Sequence, residues 1–208
     1  MSTLLKIDVS PRGEHSISRK LGNHFATEWQ SSHVGGKIIT RDLAKTKIPY
    51  VDLPWIAGAF SAPEQHTAEH KTALKISDQL IDELLAADEV VISTPMYNFN
   101  VPAVLKAWID HIVRLNKTFG FGPDGLKGLV GGKKVTVIIT SGSEYTAGTP
   151  MESYNLEGPY FSVVFGFIGI TDVTIVHAGG TNKVDQGLVP EPAFIEKFVH
   201  EVDLAAAK

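Results

Sequence analysis

Two stretches of the chain place residues able to do chemistry where a strand would hand over to a helix. The first reads Ser10-Pro11-Arg12-Gly13-Glu14-His15-Ser16-Ile17-Ser18 and runs into an amphipathic segment. Ser10, Ser16 and Ser18 offer hydroxyls beside the free N–H groups of a helix N-terminus, whose partial positive charge suits a phosphate. Arg12 would add charge. The same serines also suit an ordinary helix cap in solvent. The glycine spacing of a dinucleotide fingerprint is absent, and no Gly-Lys-Ser/Thr makes the stretch a P-loop. The second stretch reads Thr94-Pro95-Met96-Tyr97-Asn98-Phe99-Asn100-Val101-Pro102. Its prolines stiffen it, and between them lie two aromatics and two amides. Flat side chains for a face and amide groups for an edge are what a planar ring with polar edges needs. A rigid structural loop whose aromatics seal the core would have the same composition.

Elements on either side must hold these loops in place. Apolar runs at residues 4–9, 37–43, 89–93, 135–140 and 173–176 read as five strands. Several are near-continuous β-branched runs, the pattern of strands buried on both faces of a parallel sheet. Between them, residues 18–29, 64–87, 102–116, 151–167 and 192–204 read as helices; Leu21, Phe25 and Trp29, for example, recur at spacing four. The alternation predicts one doubly wound α/β domain over residues 1–208, a five-stranded parallel sheet flanked by helices. In such sheets ligands bind beyond the carboxyl ends of the strands, at the switch point, which is where both loops fall.

With 43% hydrophobic residues among 208, the chain can bury a sizeable core. A net charge of −4 argues against a general nucleic-acid or anionic-membrane surface. The absence of cysteine excludes disulfides, thiolate metal sites and cysteine nucleophiles, and fits a reducing, cytoplasmic setting. No apolar run is long enough for a transmembrane helix, and residues 1–9 read as a strand too short for a signal peptide's apolar core.

Ser10 with Ser16-Ile17-Ser18, followed by Pro95-Met96-Tyr97-Asn98-Phe99-Asn100 running into Pro102, closely resembles the FMN-dependent NADH:quinone reductases called azoreductases, which are flavodoxin-like. Two further segments, Gly125-Leu126-Lys127-Gly128-Leu129 and Gly166-Phe167-Ile168-Gly169-Ile170-Thr171-Asp172-Val173, are also similar to that family. The resemblance implies that Ser10, Ser16, Ile17 and Ser18 hold the FMN phosphate and that Met96, Tyr97, Asn98 and Phe99 run along the isoalloxazine. It implies that Ser141, Gly142, Ser143 and Glu144 reach its pyrimidine side. The family usually has paired glycines where this chain has Ser143 and Glu144. A carboxylate there would disfavour a flavin that becomes anionic on reduction. By the same resemblance Phe121 and Phe165 wall the substrate position. NADH or NADPH would give a hydride to the flavin, and a quinone or azo compound would then take its place, so no side-chain catalyst is required. A flavodoxin-type electron carrier or flavin-binding module is the alternative. The mild net charge argues against a carrier's acidic docking face, and the length favours a substrate pocket.

Other motifs carry less. Gly120-Phe121-Gly122-Pro123-Asp124-Gly125 matches GxGxxG but follows a helix and contains turn residues, so it reads as a loop or hairpin. His66-Thr67-Ala68-Glu69-His70 matches HxxEH, with both histidines expected on one helix face; its composition is that of a solvated surface, and no metal is expected. The third predicted helix carries Val101, Val104, Leu105, Trp108, Ile109, Ile112, Val113 and Leu115, more apolar surface than one stripe against a sheet. A homodimer meeting along this helix would cover it, as the family resemblance also implies.

Overall fold

The computed structural model describes residues 2–123 and 125–207. Five strands, β1 (Thr3–Asp8), β2 (Lys37–Asp42), β3 (Glu89–Pro95), β6 (Lys134–Ser141) and β7 (Asp172–Gly179), form one sheet in the order β2-β1-β3-β6-β7, and every pairing is parallel. The doubly wound parallel sheet expected from the alternating runs is therefore present, in the strand order of the flavodoxin-like fold that the family resemblance implies. The remaining strands, β4 (Phe119–Gly122) and β5 (Gly125–Gly128), form an antiparallel hairpin. This is the GxGxxG segment, and it precedes no helix; Asp124, part of its expected turn, lies outside the described residues.

Helices α1 (Ile17–Ser32) and α7 (Glu191–Ala206), the latter after a short α6 (Asn182–Asp185), cover one face of the sheet, where Leu21, Phe25 and Trp29 meet Val91, Ile138, Phe194 and Val202. Helices α3 (Ala68–Ala86), α4 (Ala103–Ile112) and α5 (Glu157–Phe167) cover the other, packing Leu80, Leu84, Trp108, Ile112 and Phe161 on Val90, Ile92 and Val137. Gly22 permits the close approach of α1 to β3, since a Cβ there would stand 2.8 Å from the Ser93 Cβ.

Three helix expectations need correction. The helix expected over 64–87 begins at Ala68, because the Thr67 hydroxyl accepts from the His70 N–H and residues Pro63–Gln65 form a separate 3-10 turn. His66 thus lies outside the helix, its Nε2 directed at the Ser61 carbonyl, and does not share a helix face with His70. A short helix, α2 (Leu53–Ala59), precedes it, capped by Asp52 with Pro54 in its first turn. The helix expected over 151–167 begins at Glu157, and the one expected over 102–116 spans Ala103–Ile112.

The broad apolar face of α4 is covered by its own chain. Leu105, Ala107, Trp108, Ile109 and Ile112 are buried, and Trp108 is 1% exposed. The expectation that this helix meets its own copy through Trp108 is therefore wrong. His111, also buried, directs Nε2 at the Pro49 carbonyl at 2.9 Å, and burial pushes its pKa down. Among the described residues, no helix is long and apolar enough to cross a membrane.

Candidate functional site

The sheet order reverses at β1, so the loops after β1 and β3 leave side by side and frame a crevice. A cavity of about 160 Å³ lies there. Ser10, Ser16 and Ile17 line it from one side, Pro95, Met96 and Tyr97 from the next, and Ser141 and Gly142 from beyond β6. Residues far apart in sequence thus converge as expected. Ser18, Asn98, Phe99, Ser143 and Glu144 lie outside this wall.

Ser16 is the N-cap of α1, and its hydroxyl accepts from the Arg19 N–H at 3.3 Å. Ser18 reaches the cavity only through Ser16, the two Oγ atoms standing 3.1 Å apart. The Ile17 and Ser18 N–H groups lie in the first helical turn, where no i−4 carbonyl within the helix can serve them. All three serines are buried. Capping and anion binding are therefore compatible uses of the same residues. Arg19 anchors the arrangement. Its Nε donates to the Ser10 carbonyl at 2.8 Å and its two terminal nitrogens donate to Asp42 at 2.9 and 2.7 Å. The bond from Arg19 holds the Asp42 carboxyl below the usual range. Arg12 leans toward Asp185 at 3.4 Å.

The loop after β3 is a tight two-residue turn. Tyr97 and Asn100 exchange both backbone hydrogen bonds, at 3.0 and 3.1 Å. Asn98 (φ 48°) and Phe99 (φ 73°) sit at its tip in the left-handed region. Asparagine tolerates that conformation, whereas phenylalanine holds it at a cost of roughly 1–3 kcal/mol. The tip is tied down from outside: the Leu156 N–H donates to the Phe99 carbonyl at 3.2 Å, and the Phe99 ring packs 5.3 Å from that of Tyr154.

At the end of β6, Ser141 Oγ donates to the Ser143 carbonyl at 2.8 Å and Gly142 packs against Asn182, where a Cβ would stand 2.6 Å from Oδ1. Glu144 turns to Lys183, with Nζ and Oε1 3.0 Å apart. The negative charge expected from the Glu144 departure is thus paired, though both side chains are half-exposed and the pair adds little stability.

Phe121, on β4, is 74% exposed. Phe165 is not available as a wall. It is fully buried in the core, stacked parallel to Phe161 with centroids 6.1 Å apart, so its place in the sequence reading is corrected to packing. Sequence reasoning missed Thr140, Thr181 and Asn182, which complete the cavity. The loop after β7, Gly179-Gly180-Thr181-Asn182, was a fair signal, because it too leaves a strand's carboxyl end. On the far side of α1, His24, Glu28 and Asp203 bring ligand atoms within 4.8 Å, but His24 Nε2 already meets Asp203 Oδ1 at 2.6 Å.

The cavity suits the phosphate end and ring edge of a flavin mononucleotide. It offers buried hydroxyls, unpaired helix N–H groups and a stiff loop, and at about 160 Å³ it would enclose part of the group and leave a face open.

A family model described as a flavodoxin-like fold matches residues 2–196. The FMN-dependent NADH:quinone oxidoreductase of Nostoc sp. strain PCC 7120 is 52% identical over 88% of both chains. The crystal structure of an azoreductase from Bacillus anthracis strain Sterne superposes with a TM-score of 0.88, at 29% identity over 100% of this chain and 99% of that one. An FMN-dependent NADH-azoreductase from Bacillus anthracis strain Ames Ancestor, solved with FMN, gives 0.86 at 25% identity over 100% and 98% of the two chains. On this sequence match, this sheet order and this convergence of loops, the chain belongs to the FMN-dependent NADH:quinone oxidoreductase and azoreductase family of flavodoxin-like proteins.

Proposed function

We propose that the chain is an FMN-dependent oxidoreductase in which one domain over residues 1–208 takes a hydride from NADH or NADPH and reduces quinones and azo compounds. The observation that carries this reading is the meeting of the serine loop and the Pro95 loop in one cavity at the switch point. When bound, FMN supplies the two-electron chemistry, and donor and acceptor occupy the same place in turn.

The protein's part is to bind, orient and shield. Ser10 and Ser16 offer hydroxyls to the phosphate, supported by Ser18 and by the N–H groups of Ile17 and Ser18 at the positive end of α1. Met96 to Phe99 present backbone to the ring edge, and the turn at Asn98-Phe99 holds that backbone in one conformation. Ser141 and Gly142 close the opposite edge, with Ser143 and Glu144 behind them. Phe121 offers an exposed aromatic wall without a polar handle, which suits flat acceptors of many kinds because apolar walls discriminate weakly. The cysteine-free sequence fits work in the reducing cytoplasm.

The test compares flavins and then follows turnover. FMN is expected to bind stoichiometrically and riboflavin, which lacks the phosphate, far more weakly. Double-reciprocal plots with NADH and a benzoquinone are expected to be parallel. Equal affinity for riboflavin would remove the phosphate role of the serines, and intersecting lines would remove the shared place. An electron carrier would show negligible turnover with a soluble quinone.

We also infer a homodimer, now on different grounds. Leu53, Ile56 and Phe60 of α2, Phe121 of the hairpin, and Val163 and Phe167 of α5 leave large apolar groups exposed. Surfaces of this kind are usually covered by a partner, most often a second copy about a two-fold axis. Sedimentation at micromolar concentration is expected to show a dimer; a monomer there overturns the inference.

A further inference from the structure

Glu157 opens α5, yet its side chain is fully buried beneath the Pro95 loop. Its Oε1 lies 3.2 Å from the Thr94 hydroxyl. The same hydroxyl lies 3.1 Å from the carbonyl oxygen of Pro95, which lines the cavity. Thr94 has one hydroxyl hydrogen for two neighbouring acceptors. Both contacts are full hydrogen bonds only if Glu157 donates to Thr94 and Thr94 donates onward to Pro95, which requires a protonated carboxyl. Glu157 Oε2 points the same way. It is buried without a partner, which a neutral acid's carbonyl oxygen tolerates and a carboxylate oxygen does not.

We propose that Glu157 is a positioning residue, whose buried acid sets the Thr94 hydroxyl on the Pro95 carbonyl and so fixes the path of the loop from Met96 to Phe99. The inference rests on the flavin reading of that loop. A second tie runs beside it, since Leu156, the residue before Glu157, donates its N–H to the Phe99 carbonyl. The start of α5 therefore grips the loop at both its entry and its tip. Loss of the Glu157 proton would turn the Thr94 hydroxyl toward Oε1 and release the Pro95 carbonyl.

The surroundings suit a neutral acid. Burial pushes the Glu157 carboxyl up to about 8, with the Thr94 hydrogen bond acting the other way. From β7 the His177 ring borders Gly158, and burial holds its pKa down, so it brings no positive charge at neutral pH. From β3 the neighbour is the uncharged Thr94. One turn further along α5, Tyr160 faces Lys106 and Asp110 of α4, which are bonded to each other; its hydroxyl is pushed up by burial and stays neutral.

The test measures FMN affinity by flavin fluorescence from pH ~6 to ~9, a span that crosses the raised carboxyl's titration. The wild type is expected to lose about three- to tenfold in affinity as one proton leaves, the range for one hydrogen bond. Glu157→Gln, neutral at every pH and able to donate to Thr94, is expected to keep its affinity across the range. Thr94→Val is expected to be weaker throughout and flat. The protein without flavin gives an independent readout: the infrared carbonyl band of a protonated acid is expected at neutral pH and absent in Glu157→Gln. Its urea midpoint gives another. Stability contributed by this group is full below about 4.5 and declines as pH rises to about 8, so the wild type is expected to weaken over that interval relative to Glu157→Gln. A flat wild-type affinity profile, or the same alkaline loss in Glu157→Gln, overturns this inference alone. A wild type that takes up no FMN at any pH overturns the flavin reading and this inference with it.

Discussion

Trp108→Asp is expected to leave no folded protein, rather than a folded monomer. Trp108 is 1% exposed and sits among the largest side chains of the core between α4 and the sheet. Truncating a buried tryptophan costs about 3–5 kcal/mol. A carboxylate in its place adds the penalty of an unpaired buried charge, several kcal/mol more. Together these approach or exceed the roughly 5–15 kcal/mol that holds a typical domain folded. Circular dichroism and urea denaturation check it. A variant with native secondary structure and a wild-type urea midpoint would mean that Trp108 faces outward.

Gly128→Ala is expected to destabilise the protein and displace the hairpin that carries Phe121. A Cβ at Gly128 would stand 2.2 Å from the Gly169 nitrogen, 2.3 Å from the Ile168 carbonyl carbon and 2.5 Å from the Gly169 Cα. All three are backbone atoms, so no side chain can swing aside. Gly169 itself holds φ at 98°, in the left-handed region, at the turn between α5 and β7. Overpacking commonly costs about 1–3 kcal/mol, and a backbone-to-backbone crossing lies at the upper end or above. Gly131→Ala is the control, because a Cβ there meets only the Gly169 carbonyl oxygen at 3.6 Å. The urea midpoint is expected to fall for Gly128→Ala and to stay near wild type for Gly131→Ala. Equal midpoints for Gly128→Ala and wild type would show that the crossing is looser than described. Quinone KM is expected to rise in the folded fraction of Gly128→Ala, because Phe121 moves with its strand.

The sheet was legible because its inner strands are continuous β-branched runs, and such runs have few other homes. The serine loop was legible because Ser16 and Ser18 stand where an amphipathic period begins, so residue type and position agree. What escaped depends on contacts distant in sequence. Nothing local to Phe165 separates an outward ring from one stacked on Phe161; the choice is made by how α5 lies on β6 and β7. The wide apolar face of α4 misled for the same reason. The second side that seemed to need a partner is filled from the same chain, and only Ala103 and Lys106 on the helix are exposed. Thr181 and Asn182 entered the cavity because β7 ends level with β6, a register no single strand announces. The Glu157–Thr94 contact was invisible too, since a glutamate in a helix's first turn ordinarily faces water.

The packing of α1 against α7 bears on how the chain reaches its native state. The two helices are joined by Lys20 to Glu191 and by His24 to Asp203, and the apolar layer beneath them takes Phe25 from one and Phe194 and Val202 from the other. Every pairing in the main sheet is parallel, so none can form as a local hairpin, and each waits for a crossover segment. During synthesis, strands β1 to β6 can assemble with the α3–α4 layer while the opposite layer still lacks α7. Until then Trp29's neighbours and the apolar side of β6 remain partly open to solvent. A nascent chain halted before Glu191 should therefore carry a sticky face and be a chaperone client, whereas one that has released Ala206 from the ribosome can close it.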